Sequence, residues 1–251
     1  MAFTGIYTKK SGKQKRKKKM NNNLKNKLLI FWRGWGYSIV VALIIAMSFR
    51  SAIAEFNDVP TGSMKPTILE GDRLFVNKLA YDLKVPFTTY HITCWGHPER
   101  GDIVVFFSPE DGKRLVKRVI GLPGDTIAMS ANQLFINGKA VTYESPDQET
   151  ISHLPPDQRS DHIFFSENIF GKKHSLMITP GRPSLNTFGP LLIPEGQYFM
   201  MGDNRDNSAD SRFFGFVDRN LIVGRAIGIF ISLKRDEHYL PRWHRFFQGL
   251  S

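Results

Sequence analysis

Two hydrophobic regimes follow one another along the chain. From Gly34 to Phe49 the sequence GWGYSIVVALIIAMSF runs for sixteen residues without a charge. Beyond Asn57 the apolar residues come in short bursts, separated by Gly, Pro, Asn and Asp. The first regime predicts a helix in a membrane. Sixteen residues fall short of the roughly 20 that span a bilayer. The run extends through RSAIA to Ala54 if Arg50 snorkels to the interface. Trp32, Trp35 and Tyr37 gather at its start, as aromatic anchors do at a bilayer surface. The pattern therefore predicts an anchor over 34–54. A cleaved signal peptide stands open beside it, because Ala52-Ile53-Ala54 has the A-x-A form of a cleavage site. Either way the body of the chain crosses a membrane.

The second regime reads as β. DRLFVNKLAY and GDIVVFFSP are strand-like, the latter nearly all apolar and so buried. KRLVKRVIG alternates and ends in the turn LPGD. QLFINGKAV predicts a hairpin turning on Asn137-Gly138. Residues 145–190 break the rhythm: SPDQ, LPPDQ and TPGRP mark a polar, Pro-rich insertion, expected to be loop-rich. The main pattern resumes with EGQYFMMGDNRDNSADSRFFGFV and a last strand, IVGRAIGIFISL. The tail YLPRWHRFFQGLS mixes Trp243, Phe246 and Phe247 with Arg242 and Arg245, which suits either a packed helix or a membrane-surface contact. The expected fold is mainly β, of antiparallel sheets with an inserted loop-rich subdomain, behind one N-terminal transmembrane helix. Its divisions are a basic tail (1–33), the anchor (34–54), a first catalytic β part (55–144), the insertion (145–190) and a second β part (191–251).

Charge places the chain on a membrane rather than on nucleic acid. The net charge is +11, and residues 1–34 hold eleven Lys and Arg with no Asp or Glu. The rest of the chain carries 23 residues of each sign. A nucleic-acid-binding body would carry its own excess. The basic tail is expected to be disordered. The positive-inside rule keeps it in the cytoplasm and puts everything after Phe49 outside. Cys94 is the single cysteine, so no intrachain disulfide forms. The seven histidines are scattered, and neither HExxH nor CxxC zinc spacing occurs.

Three segments are candidates for chemistry. In VPTGSMKPTILEGDRLFVNK, Ser63 is either a turn residue or a nucleophile on a fixed backbone. A serine attacks a carbonyl only if a base takes its proton, and no histidine lies in any of the three segments. In RLVKRVIGLPGDTI, Lys117 shares a strand face with Leu115 and Val119 while Val116 and Arg118 take the other. Burial on such a face would make it a neutral amine; an exposed edge lysine is the other reading. In GDNRDNSADSR, Asp203, Asp206 and Asp210 face Arg205 and Arg212. The EF-hand spacing fails there, because Arg205 stands third from Asp203. A loop satisfied by its own salt bridges is expected instead.

Taken together and in this order, PTGSMKPTILEGD, KRVIGLPGD and GDNRDNSADSR closely resemble the type I signal peptidases of bacteria, membrane-anchored proteases with a Ser–Lys dyad. The match covers most of residues 35–232. The resemblance implies a signal-peptidase-like β fold that removes N-terminal signal peptides after an Ala-x-Ala site through an acyl-enzyme. It implies Ser63 as nucleophile, Lys117 as general base and Ser208 as the residue that orients the Lys117 amine. The Ser63 N–H and the Thr61 hydroxyl would form the oxyanion hole, where the family often has serine in place of Thr61. Asp210 would pair with Arg212. Val59, Met64, Ile68, Leu74, Leu115 and Val116 would line shallow pockets for small side chains at −1 and −3. The implied partners are preproteins carrying signal peptides and the lipid bilayer, with no nucleic acid, metal or organic cofactor. The implied place is the inner (cytoplasmic) membrane, single-pass, with the catalytic domain on the outer side. Two rivals remain: a self-cleaving Ser–Lys protease of the repressor type, and a non-catalytic, membrane-tethered envelope binding protein.

Overall fold

The structure, a computed structural model, describes residues 31–85, 88 and 90–250. Most of the basic tail lies outside them. The chain divides into two compact units, residues 1–49 and 50–251. A π-helical turn, Trp32–Gly36, runs without a break into α1, Tyr37–Ile53, of 17 residues. Among the described residues no helix is long and apolar enough to cross a membrane.

The second unit is β, as its alternating pattern predicts. Its main sheet includes β1 (Ala54–Asp58), β2 (Asp72–Asn77), β5 (Ile103–Phe107), β6 (Arg114–Gly121), β14 (Gln197–Met201), β15 (Val217–Asp218) and the 13-residue β16 (Ile222–Lys234). They stand in the order β1-β2-β16-β5-β6-β14-β15, antiparallel at every step. The strands β3 (Asp82–Lys84) and β4 (His91–Cys94) form a separate pair. LPGD turns the chain into β7 (Thr126–Ser130), which pairs β8 (Gln133–Ile136). The expected hairpin then turns into β9 (Lys139–Ala140), with φ of 52° at Asn137 and 74° at Gly138. Only residues that tolerate the left-handed region close so tight a turn.

The sheet curls. In a flat sheet β1 and β6, four strand positions apart, would be about 19 Å from one another. Yet Arg114 of β6 hydrogen-bonds Glu55 and Asn57 of β1. Counting antiparallel steps, β1 and β6 point the same way. Each also has an unpaired edge among the described residues. β1 pairs only with β2, and β14 pairs only with Arg118–Gly121 of β6, leaving Arg114–Lys117 uncovered on that side. Inside the curl, Val59, Met64, Ile68, Leu74, Val76 and Val105 form one apolar cluster, with Val116 against it.

The insertion differs from expectation. Residues 145–190 carry the short helices α2 (Gln148–Ser152) and α3 (Pro156–Ser160). They also hold two seven-residue strands, β11 (Ile163–Ile169) and β12 (Lys172–Ile178), paired along their whole length. With β10 (Thr142–Glu144) these make a three-stranded sheet. The hairpin turns at Phe170-Gly171, both with positive φ, and Asn168 Oδ1 accepts from Gly171 N at 2.8 Å. Prolines at both ends of the segment conceal this regular middle. The edge strand β13 (Phe188–Leu192) then joins β7.

The C-terminal region is not the packed helix that was one of its two readings. β17 (Leu240–Pro241) and β18 (Gln248–Gly249) each add to β16, with a 3₁₀ turn, Trp243–Arg245, between them. That turn sinks Arg245 beside Asp72, at 2.7 Å, and donates to the Thr67 carbonyl at 3.0 Å. Both side chains are about 99% buried or more. Arg245→Met leaves the buried Asp72 carboxylate with only Arg242, at 4.0 Å, as a cation beside it. It should lower the unfolding free energy by about 3–5 kcal/mol. Urea denaturation should show this as a lower midpoint at unchanged slope.

Candidate active site

The turn that carries Ser63 is built on apolar anchors. Met64 and Ile68 point into the core, and Ile68 N donates to Met64 O at 2.9 Å. Lys65 N donates to Gly62 O at 3.1 Å, and Leu69 N to Asp72 Oδ2 at 2.8 Å. The inward side chains hold the turn down and leave Ser63 half-buried on top.

The third motif clamps this turn from above. Asn204 N donates to Ser63 O and Asn204 Nδ2 to Gly62 O, both at 3.1 Å. Gly202 permits the approach: a Cβ there would meet Ser63 O at 2.4 Å and Ser208 Oγ at 2.3 Å. Asp203 accepts from Thr67 Oγ1 at 2.6 Å and takes the Arg118 guanidinium through two bonds of 2.9 Å. Asp210 likewise takes Arg212 through two bonds, at 2.8 and 2.9 Å, and caps α4 (Ser211–Phe214). The insertion backs the loop: Met177 N donates to Asp203 O at 2.8 Å and Arg205 N to Met177 O at 2.9 Å. Arg205 itself pairs with Glu167 of β11 at 2.6 Å. The loop is therefore not satisfied by its own charges alone. Two of its ionic partners come from β6 and β11.

Lys117 meets Ser63 in the middle of this frame. Its Nζ hydrogen-bonds Ser63 Oγ, and the residue is only 3% exposed. Directly opposite on β5 is buried Val104, which clusters with Val119 and Leu115. Burial pushes the Lys117 amine down to about 8, and Arg212 pushes the same way; the charges of Asp210 and Asp203 oppose them. Burial also acts on Asp210, pushing it up, but the Arg212 bonds and charge overcome that and hold it below the usual carboxylate range. An amine that loses its proton near neutral pH, touching a hydroxyl, has the composition of a nucleophile and its base.

The sequence profile of the family described as "Signal peptidase, peptidase S26" matches residues 32–231. The chain belongs to this family. It is a serine peptidase, a hydrolase. Signal peptidase I of Pseudomonas fluorescens is 34% identical, over 84% of this chain and 77% of its own. That of Buchnera aphidicola (subsp. Schizaphis graminum) is 35% identical over 91% and 85%. Signal peptidase I P of Bacillus subtilis subsp. natto is 37% identical over 81% and 91%.

Within this chain the expected site residues fall unevenly. Ser63 and Lys117 are hydrogen-bonded, and Asp210 and Arg212, paired with each other, both act on the Lys117 amine. Thr61 is exposed, two residues before Ser63. Ser208 is buried beside Asp210 and helps hold that carboxyl low; the expected bond to the Lys117 amine is not formed, and that amine is engaged by Ser63 instead. Of the expected pocket residues, Val59, Met64, Ile68 and Leu74 are core and Val116 packs against them. Leu115 does not join them: strand alternation turns it to the opposite cluster. Three positioning residues escaped the sequence reading: Asn204, Thr67 and Arg118. Each lies inside a quoted motif, but only the fold shows what it touches. Among the described residues no group of His, Cys, Asp and Glu is placed to hold a metal ion.

The Lys117 resonance should titrate with a midpoint near 8, whereas exposed lysines titrate near 10.4. Heteronuclear NMR of lysine side chains against pH reads the value directly. A midpoint above 10 would mean a solvated ammonium.

Proposed function

We propose that the chain is a membrane-bound endopeptidase that removes N-terminal signal peptides from exported preproteins, cutting after an Ala-x-Ala-like site by a Ser63–Lys117 dyad. The observation that carries this reading is the hydrogen bond between a buried, low-pKa amine and the Ser63 hydroxyl. Neutral Lys117 takes the Ser63 proton as Oγ attacks the carbonyl at the end of the signal peptide. The charge that develops on oxygen is met by the Ser63 N–H and the Thr61 hydroxyl. Such a donor is worth about 2.7–4 kcal/mol. The ammonium then protonates the leaving amine, the new N-terminus of the mature protein. Water deprotonated by the same lysine hydrolyses the ester. Ser208, buried beside Asp210, orients the amine once it leaves Ser63.

The anchor belongs to the same reading. The uncharged run Gly34–Phe49 lies in the π-turn and α1, and it reaches the length of a bilayer core if Arg50 snorkels to the interface. The uncharged part of α1, Tyr37–Phe49, is not segregated into an apolar and a polar face, as suits lipid on every side. With the basic tail in the cytoplasm, the catalytic unit lies on the outer face of the inner membrane, and the insertion at 145–190 serves as a brace for the loop over Ser63.

The purified protein should cut a peptide with Ala at −3 and −1, and a bulky −1 residue should abolish cutting. Equal cutting of both peptides would refute the substrate assignment. Ser63→Ala should be inactive. Lys117→Arg should be as inactive as Lys117→Ala, because a guanidinium keeps its proton. Ser208→Ala should lose less: one hydrogen bond of about 1–3 kcal/mol is roughly 5- to 150-fold. In the wild type, kcat/KM should rise with pH through about 8, since only the deprotonated Lys117 accepts the proton. Near-wild-type activity in folded Lys117→Arg would return Ser63 to the status of a turn residue.

A further inference from the structure

Upstream of Ser63, the space between the two free strand edges has a polar floor. Glu55, Asn57 and Val59 share one face of the first strand and its extension, by alternation. Arg114 and Val116 share one face of β6. Val59 and Val116 meet in the same apolar cluster, so Asn57 and Arg114 lie on that same face, one pleat further from Ser63. They touch: Arg114 Nη1 donates to Asn57 Oδ1 at 2.8 Å and also to Glu55. Glu55 is held from its other side by Lys78 at 3.4 Å. An arginine can only donate, so this bond fixes the Asn57 amide with its oxygen toward Arg114. The other end of that amide, Nδ2, is buried and has no hydrogen-bond partner among the described residues. A buried donor left unmade costs about 1–3 kcal/mol, and such a group in a native site calls for an occupant.

An extended peptide supplies one. β1 and the uncovered half of β6 run the same way, toward Ser63 and Lys117. A single strand laid between them would pair with both, and side chains bridging beneath it would span about 10 Å, two strand spacings. With the scissile carbonyl at Ser63, the −1 side chain sits over Val59 and Val116. The −3 side chain, on the same face and about 7 Å upstream, sits over Asn57 and Arg114.

We infer that Asn57, oriented by the Arg114–Glu55 pair, is a specificity-determining residue of the −3 subsite, and that its free amide N–H selects a −3 side chain bearing a hydrogen-bond acceptor, such as Thr or Ser, over an apolar side chain of equal size. This rests on the signal-peptide reading above and adds a chemical preference that apolar pockets alone would not give.

The test uses the full-length protein in detergent and two peptides that share Ala at −1 and differ only in Thr or Val at −3. These side chains have nearly the same shape, so the ratio of kcat/KM reports the hydroxyl. Wild type should favour Thr by about 3- to 10-fold, the worth of one neutral hydrogen bond. Asn57→Leu should invert the ratio in favour of Val. Arg114→Met leaves the amide present but unheld, and should bring the ratio toward one. The ratio is taken within one preparation, so partial loss of folded enzyme cancels. A wild type that cuts the Val peptide as well as or better than the Thr peptide would overturn the inference and leave the peptidase reading intact. So would a Thr preference that persists in Asn57→Leu. A wild type that cuts neither peptide, nor the Ala-x-Ala parent, would remove the peptidase reading and the subsite with it.

Discussion

Keeping one amine out of water is the constraint on which the rest of this structure depends. Lys117 loses its proton near neutral pH only because its surroundings solvate an ammonium poorly. Two carboxylates stand close enough to undo that. Asp203 and Asp210 both favour the charged amine, and either one, unengaged, would hold Lys117 as an ion pair. Each is occupied by a guanidinium through two bonds, Asp203 by Arg118 and Asp210 by Arg212. The acid-rich loop can therefore sit over Lys117 without charging it. The same carboxylates place the backbone: Asp203 holds Thr67, and Asp210 accepts from Gly202 N at 3.0 Å. Electrostatic insulation and positioning are carried out by the same four side chains.

The insertion takes part in this arrangement. His174 on β12 sits 3.1 Å from Glu167 and 3.9 Å from Asp203. Burial keeps the imidazole low, and the Arg118 charge pushes it further, so it packs as a neutral ring between two ion pairs. A second cation there would compete with Arg118 and Arg205 for the same carboxylates. Through Glu167, Arg205 and the Met177 backbone, a segment remote from Ser63 in sequence stiffens the loop that pins it.

Much of the fold was legible because period-2 alternation and turn chemistry are local. GDIVVFFSP, KRLVKRVIG and the Asn137-Gly138 turn each specify their element within ten residues. Ser63 and Lys117 were legible through their motifs, and alternation placed Lys117 on the apolar face. What alternation does not contain is where a partner strand stops. That β14 covers β6 only from Arg118 onward depends on contacts some 80 residues away in sequence. The same limit hid the β11–β12 hairpin, whose turn is flanked by polar, Pro-rich ends. The resemblance, and not the pattern, placed Leu115 among the pocket residues; alternation turns it to the face opposite Val116, where it packs. Asn204, Thr67 and Arg118 were in view as letters, but their roles are relations between motifs.

The clamp on the Ser63 turn also has an order in time. Its supports lie far downstream in sequence: Asn204 reaches Gly62 across 142 residues, and Arg245 reaches Thr67 across 178. A ribosome delivers these segments last. Until they arrive, the Ser63 turn lacks the Asn204 bonds and Asp72 lacks Arg245. The bracing of the Ser63 turn is therefore complete only once Arg245 is in place beside Asp72.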